Sequence, residues 1–128
     1  MNIILADIHS SALSRDQTSA NLSLLYLAAY LRMKLPEEKC SYIAEKYPSP
    51  YHLQMVKDVN ADIYAASFTS YSAPDAYEVI RRVKEINPGV LCVIGGPHVM
   101  THSKQALEQS GADVCVIGEG EITFYEIL

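Results

Sequence analysis

The residues that could do chemistry fall in four short segments, each directly after an apolar run. They are Asp7-Ile8-His9-Ser10-Ser11-Ala12, Ser67-Phe68-Thr69-Ser70-Tyr71-Ser72, Gly95-Gly96-Pro97-His98-Val99 and Gly118-Glu119-Gly120-Glu121. Ser67, Thr69 and Ser70 offer hydroxyls that could bind the polar part of a ligand, or could serve as turn and capping groups. Gly95 and Gly96 remove side chains where the backbone leaves a strand. That admits a bulky planar or sugar-phosphate group against the chain, or a positive φ in a tight turn. Pro97 stiffens the exit, and His98 is a ligand-edge contact or a capping residue. Glu119 and Glu121 lie at a helix start, where carboxylates are favoured with or without a ligand. No catalytic acid, base or nucleophile stands out.

The elements that carry these segments follow from periodicity. Asn2–Asp7, Asp62–Thr69, Val90–Gly95 and Asp113–Gly118 are near-continuous apolar runs, as expected of parallel strands buried on both faces. Lys39–Lys46 is a weaker strand with edge-like alternation. Helical stretches alternate with them at Asn21–Lys34, Tyr51–Val59, Ala73–Asn87, Ser103–Ser110 and from Glu119 onward. The first is apolar almost all round and is expected to be deeply packed. The third has Pro74 in its first turn and Ile80, Val83, Tyr77 and Val79 inward, and it stops before Pro88-Gly89. Gly111 is expected to cap the fourth.

Five strand–helix alternations give an α/β fold of flavodoxin type. It is a doubly wound, three-layer sandwich around a five-stranded parallel sheet of order 2-1-3-4-5. Ligands in such folds bind outside the carboxyl ends of the strands, where all four segments lie.

Composition bounds the alternatives. The chain has 128 residues, 49% hydrophobic and 20% charged, and a net charge of −5. That is one soluble domain with no basic footprint for nucleic acid or an anionic membrane. The start carries no basic region before its apolar run, so it reads as a strand and not a signal peptide. Cys40, Cys92 and Cys115 are widely spaced in apolar runs and read as buried reduced thiols of a cytoplasmic protein. The last segment, Glu121 to Leu128, ends on an apolar triplet without a cap. It is expected to be the edge of a fragment, the alternative being a short domain that ends on its last helix.

Gly95-Gly96-Pro97-His98-Val99, followed after about one helix by Ala112-Asp113-Val114-Cys115-Val116-Ile117-Gly118-Glu119-Gly120-Glu121, resembles the cobalamin-binding N-terminal domain of B12-dependent radical S-adenosylmethionine (SAM) enzymes. Leu24 to Arg32 is similar to that family's first helix, and the likeness covers essentially the whole chain. It implies a cobalamin-binding domain over residues 1–128, the N-terminal piece of a longer radical SAM protein. The parent's reaction would be methyl transfer or the anaerobic oxidative cyclisation of tetrapyrrole biosynthesis. The resemblance implies that the cofactor is bound by Ser67, Thr69, Ser70, Tyr71, Gly95, Gly96, Pro97, His98, Gly118, Glu119 and Gly120, with its nucleotide tail in the slot between the Ser67–Ser72 and Gly95–His98 loops. The family's Cys-x-x-x-Cys-x-x-Cys motif is absent. The 4Fe-4S cluster and S-adenosylmethionine therefore belong to a downstream radical SAM domain, and the chain alone is expected to have no radical activity. Asp7-x-His9 is similar to a motif of other cobalamin proteins in which the histidine ligates cobalt, though Ala12 replaces its glycine. His9 is thus a candidate axial ligand or a loop histidine. Competing readings are a flavin mononucleotide carrier, a receiver domain and a scaffold without a ligand. The loop His9–Asn21 has no glycine to wrap a phosphate, and Ser67 stands where a receiver needs an aspartate.

Overall fold

A computed structural model of the chain describes residues 1–8, 22–43, 50–117 and 126. The strands are β1 (Asn2–Asp7), β2 (Lys39–Ile43), β3 (Ile63–Ser67), β4 (Leu91–Gly95) and β5 (Val114–Cys115). The helices are α1 (Leu22–Lys34), α2 (Pro50–Val59), α3 (Ala73–Ile86) and α4 (Pro97–Ser110), with a 3-10 turn at Ser70–Ser72. All pairings are parallel and the order is β2-β1-β3-β4-β5, as the alternation of elements predicts.

Strand side chains alternate between faces, so the sheet separates two cores. On one face Ile3, Leu5, Ile63, Ala65 and Val93 pack with Leu24, Leu27, Ala28 and Leu31 of α1. On the other, Ile4, Ala6, Tyr64, Ala66, Cys92 and Ile94 pack with Val56 of α2, Val79, Ile80 and Val83 of α3, and Ala106 of α4. β1 and β3 are buried on both faces, which explains their continuous apolar runs.

Three expectations are corrected. Residues 97–102 continue α4 six positions upstream of Ser103, because Pro97 occupies a first-turn position where proline needs no N–H. The two helical pieces meet at His102, whose φ of −131° and ψ of 37° are not helical. Helix α1 is not packed all round: Tyr26 and Met33 are each 67% exposed, and among its described side chains the buried ones are Leu24, Leu27, Ala28 and Leu31. β5 is a short edge strand whose two residues are half-buried, so Cys115 is not a core thiol. Cys92 is free and fully buried, and burial pushes its thiol pKa up to about 12. Cys40 has no described side chain.

Gly111 caps α4 in the left-handed conformation (φ 76°), its N–H donating to the Leu107 carbonyl. Asp113 then ties the sheet edge. Its Oδ2 accepts from the Cys92 N–H at 2.8 Å and from Lys84 Nζ, while its own N–H donates to the Cys92 carbonyl at 2.9 Å. Burial opposes its ionisation, but the Lys84 and Cys92 bonds prevail and hold the carboxyl below its ordinary 3.8. Asp113→Ala is expected to cost about 1 kcal/mol at pH 7, since water reaches the pair. A carboxyl with a depressed folded pKa stabilises above the unfolded value, so the difference from wild type should vanish as pH falls below 3.8. Urea denaturation from pH 7 down to pH 3 (about one unit below the ordinary value) reads both.

Candidate functional site

The parallel register sets the geometry at the carboxyl edge. Asp7 pairs with Ser67 and Ser67 pairs with Gly95, so three residues form one row across β1, β3 and β4. By alternation this row lies on the α1 face, beyond Leu5, Ala65 and Val93. Asp7 and Ser67 are buried, at 4% and 7% exposure, and Gly95 is half-buried. A Cβ on Gly95 would meet only the Val116 carbonyl, at 3.5 Å, an ordinary contact. The row is therefore a shelf of small side chains ending at one carboxylate.

The second glycine does a different job. Gly96 has φ 102° and ψ −177°, a region essentially reserved for glycine. A Cβ there would lie 2.8 Å from Ser67 Oγ, 2.9 Å from the Phe68 carbonyl oxygen and 3.1 Å from the Phe68 nitrogen. Its missing side chain is taken up by the protein's own β3 exit, so the ledge is one residue narrower than the paired glycines suggest.

Beyond β3 the chain turns to the α3–α4 face. Thr69 is exposed, precedes the 3-10 turn and makes no side-chain capping bond. Ser70 Oγ lies 2.8 Å from His98 Nδ1, and Tyr77 Oη lies 2.7 Å from His98 Nε2. The His98 ring is 7% exposed and stacks on His102 with centroids 4.7 Å apart and planes 3° from parallel. The Phe68 ring lies with its centroid 5.8 Å from that of His98. Burial first, and then the charge of His102, hold the His98 pKa below its ordinary value, whereas burial alone raises that of Tyr77. A cleft of about 380 Å³ opens beside this group, lined by Ser70, Tyr77, Arg81, His98, Gln105 and Gln109.

The structure therefore brings the Ser67–Ser70 and Gly95–His98 segments to one end of the sheet, split between its two faces. The side chains of Tyr71 and Pro97 are not among those the structure describes. His9, Gly118, Glu119 and Gly120 lie outside the described residues. Among the described residues no group of three His, Cys, Asp or Glu could hold a metal ion. No described helix is long and apolar enough to cross a membrane. Tyr77 and His102 escape a sequence reading that treats Tyr77 as core and residues 97–102 as loop. The available signal was the i, i+4 spacing of His98 and His102, which places both rings on one helix face.

Fold and shelf define a class: a doubly wound α/β domain with its ligand edge at the carboxyl ends of β1, β3 and β4. The B12 binding domain family matches residues 10–128, and the chain belongs to that family. It is 32% identical over 112 residues to an uncharacterized methyltransferase of Pyrococcus horikoshii, covering 87% of this chain and 24% of that protein. It is 38% identical over 71 residues to the cobalamin-dependent radical SAM methyltransferase TokK of Streptomyces tokunonensis, covering 55% of this chain and 10% of that protein. The chain thus spans a quarter or less of the length of these relatives. A cobalamin-binding protein from Desulfitobacterium hafniense shares the fold, with a TM-score of 0.66 at 14% identity over 99% of this chain and 58% of that one.

Proposed function

We propose that the chain holds cobalamin at the Asp7–Ser67–Gly95 shelf and acts as the cofactor-holding domain of a longer radical SAM methyltransferase. The observation that carries the reading is the shelf itself. Ser67 and Gly95 stand side by side at the strand ends with no bulky side chain between them, beside a Gly95 position where even an added Cβ meets one atom. A flat nucleotide tail fits such a surface, and the Ser67 hydroxyl and Asp7 carboxylate offer it polar partners. Methyl transfer is preferred to cyclisation because the two relatives named above are methyltransferases. When bound, cobalamin supplies a cobalt centre for one-carbon transfer. This chain's residues seat and orient the cofactor. The iron–sulfur cluster and S-adenosylmethionine are assigned to a following domain.

Hydroxocobalamin mixed with the purified chain at tens of micromolar should co-elute with it on gel filtration at a ratio near one, with an altered visible spectrum. Cobalamin eluting wholly apart from the protein at that concentration overturns the reading.

A further inference from the structure

His98 is buried, polar and committed to the protein's own groups, which raises the question of what a histidine achieves there that a phenylalanine would not. Its two ring nitrogens join segments far apart in sequence: Ser70 in the turn after β3 and Tyr77 on α3. His98 itself opens α4, two residues after Gly96, which abuts the Ser67 hydroxyl and the Phe68 backbone. A neutral imidazole carries one N–H and one lone pair, so one of the two hydroxyls must accept and the other donate. That arrangement directs the O–H of the donating hydroxyl at the imidazole and ties the turn after β3 and helix α3 to the start of α4.

We infer that His98 is a positioning residue for the cofactor edge: the Ser70–His98–Tyr77 relay locks the β3 exit to the start of α4, and only neutral His98 holds the shelf in its binding form. The inference rests on the cobalamin reading and adds a regulated element to it. A proton on His98 makes both nitrogens donors, so whichever of Ser70 and Tyr77 had donated must turn to accept. The new charge also faces His102 from α4 and Arg81 across the cleft from α3. Phe68 and Ser70, from the β3 exit and the turn, offer it no counter-charge. The lowered His98 pKa agrees with that cost. Because the folded pKa lies below the unfolded one, the stabilisation is complete above the ordinary 6.5 and is lost as pH falls below it toward the folded value.

The test follows hydroxocobalamin binding between pH 7.5 and 5 (about a unit and more on each side of the ordinary histidine pKa), alongside NMR titration of the His98 ring and of the Thr69 and Ser70 amides. In wild type, affinity should fall with the His98 midpoint, by up to about tenfold per pH unit below it. In His98→Gln that dependence should disappear, leaving only what cobalamin contributes itself. Ser70→Ala keeps His98 and its Tyr77 bond but cuts the link to β3, so His98 should still titrate while affinity no longer follows it. The same pH profile in wild type and both variants overturns the inference. If wild type retains no cobalamin at any pH, the cofactor reading fails and the relay is judged on the amides alone. Thr69 and Ser70 shifts that track His98 in wild type and vanish in His98→Gln support it, and amides that ignore His98 titration overturn it.

Discussion

Gly96→Ala should destabilise the fold by about 3 kcal/mol, a large share of the 5–15 kcal/mol typical of a domain this size. Two independent costs add. The φ of 102° with ψ −177° lies in a region that costs a residue with a Cβ about 1–3 kcal/mol. The new methyl would also stand 2.8 Å from Ser67 Oγ and 2.9 Å from the Phe68 carbonyl oxygen. The hydroxyl can rotate away, but the Phe68 backbone is held in place: Phe68 is 2% exposed, and the preceding Ser67 carbonyl accepts from the Ile8 N–H at 3.1 Å. Adding Ser67→Ala to Gly96→Ala should therefore recover only the smaller part of the loss. Urea denaturation of the single and double variants measures both quantities. A loss below about 1 kcal/mol for the single variant, or full recovery in the double, contradicts this account of Gly96.

That result bears on what a sequence can and cannot disclose. The strand order was legible because runs such as Ile3-Ile4-Leu5 and Val90 to Ile94 are apolar without alternation, and because helices separate them at crossover length. The Ser67 and Gly95 neighbourhood was legible as well, since both end strands that pair in the same sheet. The division of labour between the two glycines was not. Gly95 and Gly96 are identical in sequence, and only the φ of the second and its distance to Phe68 separate them. Helix α1 misled for a related reason. Leu24, Leu25 and Leu27 are the same residue, yet Leu25 is 39% exposed, and composition cannot say which of them meet the sheet. His98 was visible as a candidate, but its partners Ser70 and Tyr77 sit on other elements, joined only by the packing of α3 against α4.

Gly95→Leu separates the site from the fold. Gly95 has no positive φ, and its Cβ position touches only the Val116 carbonyl at 3.5 Å, so the backbone tolerates a side chain there. Stability should change by less than about 1 kcal/mol, in contrast to Gly96→Ala. The leucine's branched end would project on the α1 face beside Ser67 and occupy the surface assigned to the nucleotide tail. Filling that surface removes tail contacts and imposes a steric cost together, and the affinity for hydroxocobalamin should fall at least 100-fold, about 2.8 kcal/mol. Gly95→Ala, which adds one methyl at ordinary contact distance, should lose less than tenfold. Equilibrium binding followed by the visible spectrum, paired with urea midpoints for each variant, distinguishes a blocked shelf from a broken domain. A folded Gly95→Leu protein that binds cobalamin as wild type does would place the cofactor somewhere other than the Asp7–Ser67–Gly95 row.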